Sequence, residues 1–190
     1  MRGVLAEYIV AKAVGGGSGV RSEWDAWDVV TPDGIKVEVK TSAYLQSWTQ
    51  KKLSAISFDI GPKQRGDVAQ NTVAGPPTRF AEVYVFALLA QTDKATLEPL
   101  DVNQWQFFVL PTAVLNERCP KQKQISLGSL LKLGPTRVSY AGLAQAIRRN
   151  TGSSEHCLTP SVNGDAVQFR KVEIPRMRSR KAECGSASAR

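Results

Sequence analysis

Trp27-Asp28-Val29-Val30-Thr31-Pro32-Asp33-Gly34-Ile35-Lys36-Val37-Glu38-Val39-Lys40 reads as a β-hairpin. Pro32 presets φ, and Gly34 can take the positive φ that ends a tight loop. With a three-residue loop closed by a Gly bulge, Thr31 pairs with Ile35, and counting back sets Asp28 across from Glu38. Side chains alternate along a strand, so Ile35, Val37 and Val39 point toward a core while Lys36, Glu38 and Lys40 point the other way. Two facing carboxylates repel each other and ask for a compensating cation. A divalent metal would supply it, and Lys40 stands beside Glu38.

A third acid comes from the preceding segment Arg2 to Val14, which has the pattern of a helix. The helical neighbours of Glu7 are Gly3, Val4, Val10 and Ala11, all apolar. A carboxylate on the apolar side of a helix is costly unless it is paired or coordinated. The plainer reading is a Glu at the edge of the stripe that reaches water or an arginine.

A helix carrying Glu7, a strand carrying Asp28, a tight turn, Glu38-Val39-Lys40 and then a polar segment opened by Thr41-Ser42 resembles the PD-(D/E)XK nuclease superfamily. The likeness covers about the first half of the chain, and Trp27 stands where the name-giving motif has Pro. Asp25 is the alternative metal-binding acid if the hairpin register differs. The resemblance implies an α/β fold of restriction-endonuclease-like type, with a central mixed β-sheet flanked by helices. It also implies phosphodiester hydrolysis, in DNA ahead of RNA. Glu7, Asp28, Glu38 and the carbonyl of Val39 would hold Mg²⁺, with Mn²⁺ as a substitute, since hard cations favour oxygen ligands. Lys40 would orient the attacking water and stabilise the transition state, and Gln46 would stand near the metal or the attacked phosphate. A catalytically silent member of the same fold that binds nucleic acid or a protein is the alternative, and an unrelated α/β protein that mimics the motif is a third possibility. A homodimer or a partner protein is compatible with all of these.

The composition fits an enzyme domain: 190 residues, with 42% hydrophobic and 22% charged, can bury a sizeable core. One domain over residues 1–175 is the simplest division, followed by a basic tail at 176–190 with little to bury. The net charge is +8, but seven Lys or Arg against two Glu lie from Arg170 onward, so pI alone argues weakly for a nucleic-acid partner. Cys119, Cys157 and Cys184 with the single His156 lack zinc-site spacing and are expected to be unpaired thiols in a reducing cytoplasm. One histidine also supports no Ser-His-Asp or Cys-His scheme. Glu7 interrupts the N-terminal apolar stretch, so no secretory signal is expected. No apolar run is long enough to span a bilayer, so no membrane partner is expected.

Further along, Tyr44 to Leu53 is expected to form a helix with Leu45 and Trp48 inward and Gln46, Gln50, Lys51 and Lys52 outward. Ile56, Phe58 and Ile60 alternate as in a half-buried strand. Gly61 to Thr78, with Gly61-Pro62 and Gly75-Pro76-Pro77, is expected to be a long irregular loop suited to cover substrate. Glu82 to Leu89 and Trp105 to Leu110 read as buried strands. Helices are expected from Pro111 and over Ser139 to Asn150, and a peripheral strand over Val167 to Ile174.

Overall fold

The computed structural model describes residues 2–16, 26–67 and 72–151. The chain divides into two units, Met1–Glu155 and His156–Arg190. Asp25, His156, Cys157, Cys184, the strand expected at Val167 to Ile174 and the basic tail lie outside the described residues.

In chain order the first unit runs α1 (Arg2–Val14), β1 (Val29–Val30), β2 (Lys36–Ala43), β3 (Ser57–Asp59), β4 (Lys63–Asp67), β5 (Thr72–Thr78), β6 (Val83–Leu89) and β7 (Trp105–Pro111). It continues with α2 (Thr112–Arg118), β8 (Gln124–Ser126), α3 (Leu127–Lys132), β9 (Thr136–Val138) and α4 (Leu143–Arg149). The central sheet has five strands in the order β1-β2-β6-β7-β9. β2 and β6 are parallel and the other neighbours antiparallel, so the sheet is mixed, as expected. β6 lies between β2 and β7, and each of its seven residues is buried, which is why its sequence is apolar without alternation.

Two apolar layers cover the sheet. On one face Val37, Val39, Val83, Val85, Phe107 and Val109 pack with Ala6, Ile9 and Val10 of α1 and with Leu143 and Ile147 of α4. On the other, Tyr84, Phe86, Leu88 and Phe108 pack with Phe58 of β3, Leu115 of α2, Ile125 of β8 and Leu130 of α3. Phe58 meets Phe86 edge to face, with ring centroids 5.1 Å apart. No described helix is long and apolar enough to cross a membrane.

Two expectations are corrected. Tyr44 to Leu53 is not helical: the chain leaves β2 at Ala43 and makes a closed loop, with the Ser54 N–H donating to Tyr44 O at 2.9 Å. Gln50 explains the change. Its Oε1 accepts from Gln46 N at 2.6 Å, and its Nε2 donates to Ser54 Oγ at 2.9 Å and to Tyr44 O at 3.4 Å. The Gln50 amide thus takes Tyr44 O, which a helix would have paired internally, and the Gln46 N–H, one of the donors a helix starting there leaves open. Trp48, expected inward, is 64% exposed.

Gly61 to Thr78 is likewise no irregular loop. β4 and β5 form an antiparallel ribbon in which Gly75-Pro76-Pro77 oppose the single Gln64, and Gly75 has φ +77°. A two-stranded ribbon tolerates both prolines, because a bulge on a free edge leaves the missing N–H without consequence. Arg79 anchors the end of this ribbon. Its buried guanidinium donates to Ile60 O (2.8 Å), Asn116 Oδ1 (2.9 Å) and Cys119 O (2.8 Å), tying β5 to the end of β3 and to α2.

Candidate active site

The hairpin closes as its sequence predicts. Gly34, at φ +85°, donates to Thr31 O at 2.9 Å, Thr31 N donates to Ile35 O at 3.0 Å, and Thr31 Oγ1 accepts from Ile35 N at 2.9 Å. The register follows, with Val30 against Lys36 and Val29 against Val37. One residue further the ladder opens. Asp28 N donates to Val37 O, the carbonyl already opposite Val29, and Asp28 Oδ2 accepts the Val39 N–H at 2.8 Å. The carboxylate therefore takes a ladder bond that a regular strand would have given to backbone. A bulge of this kind re-aims a side chain.

Glu38 and Lys40 project from β2 on the face covered by Tyr84 and Phe86, opposite the face that receives α1. Glu38 is 2% exposed. Its Oε1 meets Lys40 Nζ at 2.7 Å and Lys63 Nζ at 2.5 Å. Asp28 belongs to the same cluster electrostatically. Burial first and then the charge of Glu38 push its carboxyl above the ordinary range, while the Val39 N–H, Lys40 and Lys63 pull it down. Burial pulls the Lys63 ammonium down, but the hydrogen bond and charge of Glu38, with Asp28 and Asp59 behind it, carry it above its usual value. The phenol of Tyr84 is also held well above its ordinary range, by burial and then by Glu38.

Lys63 is the member of this cluster that no sequence motif singles out. A signal is present all the same: two facing carboxylates and one lysine leave a negative charge without compensation, and the nearest basic residues beyond the loop are Lys63 and Arg65. Which of the two reaches Glu38 is decided by the approach of β4, which carries Lys63 to it.

Glu7 and Gln46, the other expected site residues, lie on other elements. Glu7 is half-buried on α1, whose buried residues Ala6, Ile9, Val10 and Val14 belong to the opposite layer. Among the described residues no three His, Cys, Asp or Glu side chains gather to hold a metal; Asp28 and Glu38 are close enough for the charge of one to act on the other. Gln46 lies in the loop rather than on a helix. Its Oε1 accepts from Arg2 Nη2 at 2.6 Å, and its Nε2 donates to Ser54 Oγ at 3.1 Å and Ala43 O at 3.2 Å. Its amide links the start of α1 to the chain leaving β2.

A buried and a half-buried carboxylate that repel each other and lean on ammonium groups have the donor chemistry a hard divalent cation requires. Residues 1–128 match the family model for bacteriophage T4 endonuclease IV. No curated protein matches the chain.

Proposed function

Because the chain belongs to the bacteriophage T4 endonuclease IV family, we propose that it is a metal-dependent nuclease of restriction-endonuclease-like fold that cuts DNA at the Asp28–Glu38–Lys40 cluster. Family membership makes it a phosphodiester hydrolase. The observation that carries the assignment of the site is Glu38, 2% exposed yet charge-paired with two lysines beside a second carboxylate. A core that required only stability would gain little from such a group, since burying an ion costs on the order of several kcal/mol before pairing.

Asp28, Glu38 and the Val39 carbonyl are the ligands we assign to Mg²⁺, or to Mn²⁺ in its place, with Glu7 as an outer ligand and Gln46 as a further polar contributor. The metal, when bound, supplies an acidified water and neutralises charge on the phosphate. The protein residues do the rest. Asp28 is held in position by the Val39 N–H, and Glu38 is fixed by Lys40 and Lys63. Lys40, 18% exposed, can turn its ammonium from Glu38 to the attacked phosphate and offset the charge that grows there.

Purified wild type and Lys40→Ala, incubated with labelled single-stranded, duplex and branched DNA and RNA in Mg²⁺, Mn²⁺ or EDTA, test the proposal. Wild type should cut DNA in metal and stop in EDTA, and Lys40→Ala should lose about 100- to 1,000-fold in rate while remaining folded. Equal cutting by both proteins, or cutting that survives EDTA, would overturn it. The hold of Lys63 on Glu38 Oε1 favours a second reading, a catalytically silent binding member of the fold, which predicts DNA binding without cutting under every condition.

A further inference from the structure

The modest charge of the chain before its tail conceals a separation. Residues 118–151 contain seven Lys or Arg and no Asp or Glu, whereas residues 1–117 contain eleven Lys or Arg against thirteen Asp or Glu. Five of those seven cations, Arg118, Lys121, Lys123, Lys132 and Arg137, lie from the last residue of α2 to β9, and all five are exposed. None of the five forms a salt bridge among the described residues.

Topology puts this basic segment beside the acidic cluster. β8 pairs with β3, Ile60 N donates to Lys123 O at 2.8 Å, and a Cβ on Gly61 would lie 3.6 Å from Lys123 Cα. Gly61 is two residues before Lys63, which reaches Glu38. Cys119, Ile125 and Leu130 fix the same segment to the layer that contains Tyr84 and Phe86. Beyond Lys121 the end of α2 and α3 enclose a groove of about 330 Å³, with Arg118 and Lys132 in its lining alongside Gln122, Gln124 and Ser129. Cations on the margin, amide and hydroxyl groups between them, an apolar floor of Cys119, Ile125 and Leu133 and no acid in the lining suit a phosphate and sugar.

We propose that this groove and the lysines leading to it form the track that holds the DNA backbone as it runs from the Glu38 cluster. The proposal rests on the nuclease reading and adds a binding surface to it. Arg148 and Arg149 provide a comparison on the other side, because α4 packs on the opposite face of the sheet, where Arg148 Nε is paired with Asp33 Oδ2 at 3.1 Å.

The test is fluorescence anisotropy of labelled DNA, single-stranded and duplex, with the full chain in EDTA across a salt series. Arg118→Gln/Lys132→Gln should weaken binding about tenfold and reduce the slope of log K against log salt by about 2, one for each phosphate that is no longer neutralised. Arg148→Gln/Arg149→Gln, which removes the same charge, should change affinity less than about threefold. Lys121→Gln/Lys123→Gln gives an independent measure of the track if the first pair fails to fold. Unchanged affinity and slope in the track variants, equal losses in both faces, or tighter binding of RNA than DNA would each overturn the inference. Cleavage by wild type, followed separately, shows whether the nuclease reading stands when the track does not.

Discussion

Asp28 and Glu38 set two negative charges close together at the hairpin, and their neighbours show how that arrangement is held. Lys40 comes from the same strand as Glu38, whereas Lys63 crosses from β4, 25 residues away in sequence. The raised pKa of Asp28 has a consequence for stability. A carboxyl whose folded pKa lies above its unfolded value binds its proton more tightly in the native state, so stability falls as pH rises through that interval. Asp28→Asn removes this cost and keeps an oxygen for the Val39 N–H. In EDTA the variant should melt above wild type at neutral pH, with the gap closing as pH drops below the carboxylate range, and in metal it should show no cleavage. Thermal melts across pH check this, and a variant less stable than wild type at neutral pH would contradict it.

At the scale of elements, the loop from Tyr44 to Ser54 and the β4–β5 ribbon decide what surrounds the acids. The loop is held by Gln46 and Gln50 rather than by a helix. Gln50→Ala should therefore release the loop while leaving the sheet intact, costing about 1 kcal/mol. Hydrogen exchange over residues 44–54 should accelerate with β6 unaffected; unchanged protection of the loop would show that the amide network does not hold it. Local pattern misleads in these two segments for a physical reason. The apolar spacing of Leu45 and Trp48 suits a helix, but two glutamine amides satisfy the backbone locally. Gly75-Pro76-Pro77 signals irregularity, but a ribbon paired on one side absorbs it in a bulge.

Across the whole molecule, metal binding and folding should be linked. A cation that binds only the native state raises stability by RT ln(1 + [L]/Kd), about 2.7 kcal/mol at a hundredfold excess over Kd. Mg²⁺ added to EDTA-treated protein should raise the melting temperature of wild type and leave Glu38→Gln nearly unmoved. An equal rise in both, or none in wild type, would count against metal at this site. The distribution of charge also acts on this scale: acids and cations are mixed through the first 117 residues, whereas residues 118–137 carry five cations and no acid. Such a field draws a polyanion to one side of the sheet and weakens with salt.

The sequence by itself determined the elements whose patterns are local. The run Arg2 to Val14 folds as α1, Thr31 to Ile35 closes the hairpin in the expected register, and the apolar runs become β6 and β7. Periodicity, turn chemistry and burial act over a few residues, so they can be read along the chain. With them came the positions of Asp28, Glu38 and Lys40 on one hairpin. Tertiary structure decided the rest: the opening of the ladder at Asp28, the return of Lys63 to Glu38, the layer on which α1 carries Glu7, and the pairing of β3 with β8 that brings the basic segment beside the acids. Those depend on contacts between distant segments, where packing and charge compensation outweigh local preference, and no short window of sequence contains both partners.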